Sequence, residues 1–302
     1  MSTQVQPRGA AAYRHRSTAG RRVTDRLVKG FAWIGASLGI AVMVFIVWEV
    51  VARGAQVWNV AFFTQPTPQD VTSTAGGFAN AIVGTLVITG VAALMAIPVG
   101  FLGGVYLAEF GRDGRVATSI RMIANVVMGV PSIIVGVFAF AILVQPLHHY
   151  SGFAGSVALA FIMLPVMART TEDILNLVPN ELRESGLAIG APRWKVTLGV
   201  ICKAAIGGLI TGASLAIVRV AGETAPLLFT ALSSPYWMTG LTGPGGFFGG
   251  PVANLTKTIY DFSASPYPHW QDLAWGGALL IIVVVLGMNI LVRLLFQRGK
   301  EW

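Results

Sequence analysis

One cysteine, four histidines and thirteen acidic residues are spread over 302 positions, and each scarcity closes off a class of function. Cys202 has no second thiol to pair with, which excludes a disulfide framework and any Cys-based zinc or iron–sulfur centre. His15, His148, His149 and His269 lie outside the apolar runs, and none stands in a His-x-x-x-His or carboxylate-flanked spacing that would argue for a metal site. A P-loop needs Gly-x-x-x-x-Gly-Lys-Ser/Thr, because backbone amides cradle the phosphates and the hydroxyl holds magnesium. The Gly-Lys pair here is Gly299-Lys300, followed by Glu301, so an ATP-driven motor would have to be a separate polypeptide.

Charge of either sign is also scarce. Only 11% of residues are charged against 54% hydrophobic, and the mean hydropathy of +0.69 places the chain among integral membrane proteins. Apolar runs of the roughly 20 residues needed to cross about 30 Å of hydrocarbon occur near 31–51, 78–108, 122–145, 152–168, 204–231 and 272–294. Six spans are predicted. The second is too long for an untilted helix, and Pro98 inside it marks a kink or break; the fourth is short. The abundant glycine suits close helix packing in lipid.

A net charge of +8 could suggest nucleic acid, but the placement of the charges points to topology instead. Arg8, Arg14, Arg16, Arg21, Arg22, Arg26 and Lys29 precede the first span, and Arg112, Arg115 and Arg121 follow the second. Arg169, Arg183, Arg193, Lys195 and Lys203 follow the fourth, and Arg293, Arg298 and Lys300 close the chain. These are eighteen of 21 basic residues on one side, with only Arg53 and Lys257 on the other and Arg219 inside a span. Lys and Arg accumulate on the cytoplasmic side, so both termini are expected there. Residues 1–29 read as a disordered basic segment that meets anionic lipid, and residues 30–302 as the membrane domain. The first run lacks a small-x-small cleavage site and reads as an uncleaved span. No aromatic interleaving or binding fold supports nucleic-acid recognition.

Between the fourth and fifth spans lies a cytoplasmic segment, about 169–203, too long for a simple turn. Pro179 or Asn180 suits a helix start, Glu181 and Glu184 sit where the helix dipole favours acids, and Gly190 suits a left-handed C-terminal turn. Pro192 then opens a second helix through Trp194 toward the fifth span. The segment reads either as a projecting knob that fits a cleft on another protein or as a connector whose apolar residues pack under its own spans. Glu184 to Gly190, as Glu-x-x-x-x-x-Gly between two spans, resembles the EAA loop of ABC-importer permease subunits, with Ser185-Gly186 at the Ala-Ala positions and Cys202-Lys203 where many members have Leu-Pro. That resemblance implies a coupling helix, with Arg183, Glu184, Gly186, Leu187 and Gly190 docking in a groove of the ATP-hydrolysing subunit.

The fifth span carries Arg219 and Glu223, which are costly at membrane depth and for that reason functional by default. Four residues apart on a helix, they can pair. Two readings stand: an ion pair that eases insertion, or an anion site in which the planar guanidinium matches an oxyanion and Glu223 limits how tightly the anion is held. Gly222 would let a neighbouring helix approach, and Pro226 would break the helix at its outer end. Pro131-Ser132 in the third span is either a simple kink or a pathway element, and Asn80 and Thr85 share that ambiguity. Glu49 and Glu109 read as residues at the ends of spans, and the glycine-rich run 243–250 as a flexible outer loop.

Arg219-x-x-Gly222-Glu223-Thr224 followed by Ala225-Pro226-Leu227-Leu228-Phe229-Thr230 resembles the PstA-type permease subunits of bacterial phosphate ABC importers. Gly77-x-x-Asn80-Ala81-Ile82-x-Gly84-Thr85, Gly129-Val130-Pro131-Ser132 and Pro251-x-Ala253-Asn254-Leu255 match the same family. The resemblance implies an all-α polytopic fold of the type I ABC-importer permease class, N-in and C-in, in the inner (cytoplasmic) membrane. It further implies a substrate path through Arg219, Glu223, Thr224 and Ser132 and no cofactor on this chain, with ATP and magnesium in the partner. The implied partners are a homologous PstC-type permease, two copies of an ABC ATPase and an extracytoplasmic phosphate-binding protein. Rival readings are an importer of another oxyanion (sulfate, molybdate or a phosphonate), a secondary transporter, which should show paired repeats with broken helices, and a membrane-embedded enzyme, for which no nucleophile–base pair is present in the spans.

The charge asymmetry is testable. Single cysteines at Gly245 and Gly186, with Cys202 replaced, should differ in labelling by a membrane-impermeant thiol reagent added outside cells, Gly245 being the reactive one. Labelling at Gly186 alone would invert the topology.

Overall fold

The computed structural model describes the backbone of residues 18–70, 75–111 and 114–297. Among them all regular structure is helical, as hydrocarbon demands of a backbone whose polar groups must be satisfied within the chain. Four helices are long and apolar enough to cross a membrane, and two sharply bent pairs bring the number to six.

Contacts divide the chain at Glu49 and Val50. Helix α1 (Thr18–Val57) supplies all that is described of the first unit, and its large side chains there, such as Phe31 and Trp33, are exposed as a lipid-facing surface would be. The disordered segment expected over 1–29 is helical from Thr18 onward, because the apolar helix extends one polar turn after another, with Lys29 and Asp25 paired at i,i+4. Residues 1–17 lie outside the described residues.

In the second unit, the end of α1 and the short α2 (Val60–Thr64) lead into α3 (Ala79–Gly111), whose last turn is π-helical. The helix continues through Pro98 without the expected break. Helix α4 (Arg115–Gly129) and α5 (Ser132–Leu147) form one pair bent by 99°; α6 (Gly152–Asn176) follows. The fourth span is therefore longer than the run 152–168, since Arg169, Glu172 and Asp173 continue the helix. After α7 (Asn180–Ala188), α8 (Arg193–Ala204) and α9 (Ile206–Ala221) form the second bent pair, at 75°. Helices α10 (Ala225–Thr230), α11 (Leu255–Ser263) and α12 (Pro268–Gln297) complete the described chain.

The principal seam is α3 against α6. A Cβ on Gly100 would lie 2.8 Å from Met167 Cβ, and one on Gly104 would lie 2.5 Å from both the Ala168 carbonyl oxygen and Thr171 Cβ. Small residues let the two backbones approach where lipid gives no hydrophobic drive for helix association. At the outer end Gly84 meets the Ala253 carbonyl, and the Asn80 amide binds Thr67 and the Ser234 carbonyl. Thr85 Oγ1 accepts the Leu255 amide that begins α11. The glycine-rich run expected to be flexible is built of turns, with Gly243 at φ 91° and Phe247 buried in the core beside Ile88 and Leu159. Burial of Phe247 holds the run in place.

Gly104→Ala should lower the stability of the detergent-purified chain by about 1–3 kcal/mol, the usual effect of overpacking a tight contact. Gly90→Ala, which enters open space, should leave the melting temperature unchanged. Equal melting of the two variants would remove the seam from the stability argument.

Candidate functional site

Two interruptions in the helices create the site. Proline biases the preceding residue away from the α region, and Val130 accordingly turns extended (φ −72°, ψ 131°), so that α4 stops at Gly129 and α5 restarts at Ser132. On the other side α9 stops at Ala221, Gly222 caps it, and Pro226 sits in the first turn of α10, where a missing N–H costs nothing. The restarted helices lie against each other: a Cβ on Gly136 of α5 would be 2.7 Å from Pro226 Cα.

Between the interruptions lies a cleft of about 170 Å³ that brings Ser132, Arg219 and Glu223 together. Its walls are Val127, Met128 and Val130 at the end of α4 and Ile162 and Val166 on α6. These wall residues carry no polar signature and were not legible as site residues; Ile162 and Val166 show only the i,i+4 spacing of one helix face. Thr224, expected alongside Arg219, is not in the lining; its carbonyl accepts the Leu227 and Leu228 amides and so begins α10.

The expected Arg219–Glu223 pair does not form among the described residues. The helix that would stack position i on i+4 ends at Ala221, so Glu223 lies in the non-helical break. Its amide reaches the Val220 carbonyl at 3.1 Å, and its own carbonyl accepts Thr256 Oγ1 from α11 at 3.0 Å. Thr256 is a contributor that no motif singled out. Among the described residues no neighbouring helix comes close to Gly222: the nearest atom to a Cβ there is the Arg219 carbonyl oxygen at 3.5 Å. Arg219 with its exposed guanidinium, the carboxylate residue Glu223 and the hydroxyl residue Ser132 thus line one small, otherwise apolar cleft. Such a set can bind an oxyanion through charge-assisted bonds while the carboxylate opposes tight retention.

The segment between α6 and α9 is the second candidate. Helix α7 follows Pro179, Gly190 turns left-handed at φ 79° with its amide on the Leu187 carbonyl, and α8 starts after Pro192. Glu184, Ser185 and Leu187 are exposed, as are Ile189 (83%), Leu177 (82%) and Trp194. Gly190 has open space around it. Arg183 and Gly186, expected on the docking surface, are instead buried. Gly186 packs on Val196, where a Cβ would meet Val196 Cγ1 at 2.7 Å, so a labelling cysteine belongs at Ser185 rather than Gly186. Arg183 turns inward to Glu109, which is no mere span-end residue but a buried partner at 2.7 Å. Nearby, Arg121 and Arg169 both bond the buried Glu172 carboxylate at 2.6 Å; Arg121, counted for topology, thereby ties α4 to α6, while Arg169 pairs within α6.

Comparison with known proteins places this geometry. The family described as binding-protein-dependent transport system inner membrane component matches residues 96–300. A phosphate transport system permease protein PstA of Yersinia pestis is 41% identical over 288 residues, 95% of this chain and 95% of that one. The protein of the same name in Haemophilus influenzae is 39% identical, over 93% of this chain and 96% of that one. Among solved structures, an inward-facing form of the MetNI methionine ABC transporter superposes with a TM-score of 0.61 at 19% identity, covering 73% of this chain and 95% of its own, and shares the fold. With a helical membrane fold, two interrupted spans around a cleft lined by Arg219 and Glu223 and identity of this extent, the chain belongs to the PstA family of phosphate transport system permeases, within the binding-protein-dependent inner membrane components.

Proposed function

We infer that the chain is the transmembrane permease subunit of an ATP-driven importer of inorganic phosphate in the cytoplasmic membrane. The observation that carries this is the meeting of Arg219, Ser132 and Glu223 in one cleft between two interrupted helices, in a chain of this family. Arg219 supplies planar donors and a charge that persists at any working pH. Ser132 adds a hydroxyl at the start of α5. Glu223 repels the anion and keeps its residence short, which import requires. The hydrophobic walls remove competing water and so strengthen each polar contact.

The remaining parts of the machine are partners. A homologous permease completes the path, an extracytoplasmic phosphate-binding protein delivers the anion, and two copies of an ABC ATPase bind and hydrolyse ATP with magnesium. The exposed surface of Leu187, Ile189 and Trp194 around Glu184 suits docking in a groove of that ATPase, because apolar side chains left in water beside a polar rim mark an interface. Closure of the motor would then drive alternating access. A guanidinium does not by itself choose among tetrahedral anions; the 39–41% identical relatives favour phosphate over sulfate, molybdate or a phosphonate.

Two predictions follow from these roles. Arg219→Lys should impair phosphate uptake by about tenfold or more in the reconstituted importer, since one charge-assisted bond is worth roughly 1.5–3 kcal/mol. Arg219→Met/Glu223→Gln should insert, assemble and yet be inactive. Near-normal uptake by the assembled double variant would leave only an insertion role for the two residues. At the docking surface, Glu184→Lys and Gly190→Val, the latter forcing a β-branched residue to positive φ, should reduce ATPase capture or separate hydrolysis from uptake. Normal capture and uptake in both would remove α7 from the mechanism.

A further inference from the structure

Arg183 points away from the exposed face of α7 and into a three-way junction. Its Nε and Nη2 donate to the Glu109 carboxylate at 3.0 and 2.7 Å, and Nη2 also to the Leu175 carbonyl at 2.7 Å. Nη1 donates to the Val178 carbonyl at 2.5 Å and to Asn180 Oδ1 at 3.3 Å. Every N–H of the guanidinium is thereby used. Glu109 lies in the π-helical last turn of α3, Leu175 in the last turn of α6 and Val178 two residues past its end, where the helix dipole favours a cation. Both ionised groups are buried, so the bonds are little screened by solvent.

The contact of α7 with α8 is of another kind. Gly186 rests on the Val196 side chain, an apolar contact with no preferred direction; the 3.3 Å bond from Arg193 to the Glu109 carbonyl joins α8 to α3 and not to α7. A planar, fully satisfied guanidinium resists displacement in every direction in its plane, whereas apolar surfaces can slide. Helix α6 is in turn locked to α3 through Gly100 and Gly104. The same α6 carries Ile162 and Val166, the wall of the cleft across from Arg219.

We propose that Arg183 and Glu109 are positioning residues that fasten the docking helix α7 to α3 and α6 as one rigid block, so that motion received at α7 is delivered to the Ile162–Val166 wall of the anion cleft while the α7–α8 contact shears. This rests on the reading of α7 as the docking helix. The pair touches neither the anion nor the ATPase. Its work is to prevent α7 from moving without the wall.

The test uses the complete importer, co-expressed and reconstituted, with Cys202 replaced by Ala and spin labels at the exposed positions Glu181 of α7 and Asp173 of α6. With the junction intact, the label distance is expected to be the same in nucleotide-free and ATP-trapped states. In Glu109→Gln and in Arg183→Met it is expected to vary with nucleotide, and phosphate imported per ATP hydrolysed to fall by about tenfold, with ATPase capture retained. An uncompensated buried charge can prevent folding, so Glu109→Met/Arg183→Met is the second variant: two apolar side chains restore burial without the directional bonds. It is expected to assemble and to remain uncoupled. A label distance that shifts with nucleotide in the intact junction, or full import per ATP in the double variant, overturns the proposal. The docking reading fails at a different measurement, ATPase capture by the Glu184→Lys surface variant.

Discussion

A helix that stops inside a membrane leaves backbone amides and carbonyls without partners, and lipid supplies none. That constraint organises the chain. Where α9 ends, Gly222 and Glu223 turn their amides back on the Arg219 and Val220 carbonyls. Where α10 ends, the Thr230, Ala231 and Leu232 carbonyls are taken by the Ser151 amide, the Val252 amide and the Asn254 side chain. The end of α10 is supported by neighbouring segments, and the α4–α5 and α9–α10 breaks border the cleft that holds Arg219. The function and the breaks share a cause: an anion can be met at membrane depth only where the chain can present side chains and helix ends without stranding its own backbone.

Several motifs that looked separate along the chain turn out to be halves of these supports. The Gly77 to Thr85 stretch and the Pro251 to Leu255 stretch meet at the outer end of the chain. Gly84 admits the Ala253 carbonyl, and Thr85 caps the amide of Leu255. Asn80 fixes the loop through Thr67 and Ser234. The ambiguity of Asn80 and Thr85 resolves toward architecture, since their polar atoms are engaged with backbone groups and, for Asn80, the Thr67 hydroxyl, and neither residue lines the cleft.

The cytoplasmic end is held by a different device. Two buried carboxylates, Glu109 and Glu172, are neutralised by Arg183, Arg121 and Arg169, joining α3, α4, α6 and α7 by bonds that are expensive to break singly. Packed glycine seams transmit displacement because close-packed interfaces deform little. The exposed helix α7 is therefore bonded to helices that also wall the cleft.

Much was legible in the sequence: an all-helical membrane fold, six apolar runs, the sided charge, and the start and stop of α7 at Pro179 and Gly190. These depend on local quantities, namely run length, proline and glycine backbone preferences, and the cost of charge in lipid. Tertiary structure decided the rest. Helical spacing alone pairs Arg219 with Glu223, but the chain interrupts the helix between them because Thr256 and the packing of Pro226 on Gly136 stabilise the break. Arg183 and Gly186 sit on a polar, projecting segment and read as surface, yet burial turns on what lies opposite, here Glu109 and Val196, seventy-four and ten residues away. Which face of a short helix is covered, and which carboxylate a buried arginine finds, are settled by segments distant in sequence, and periodicity within one segment carries no record of them.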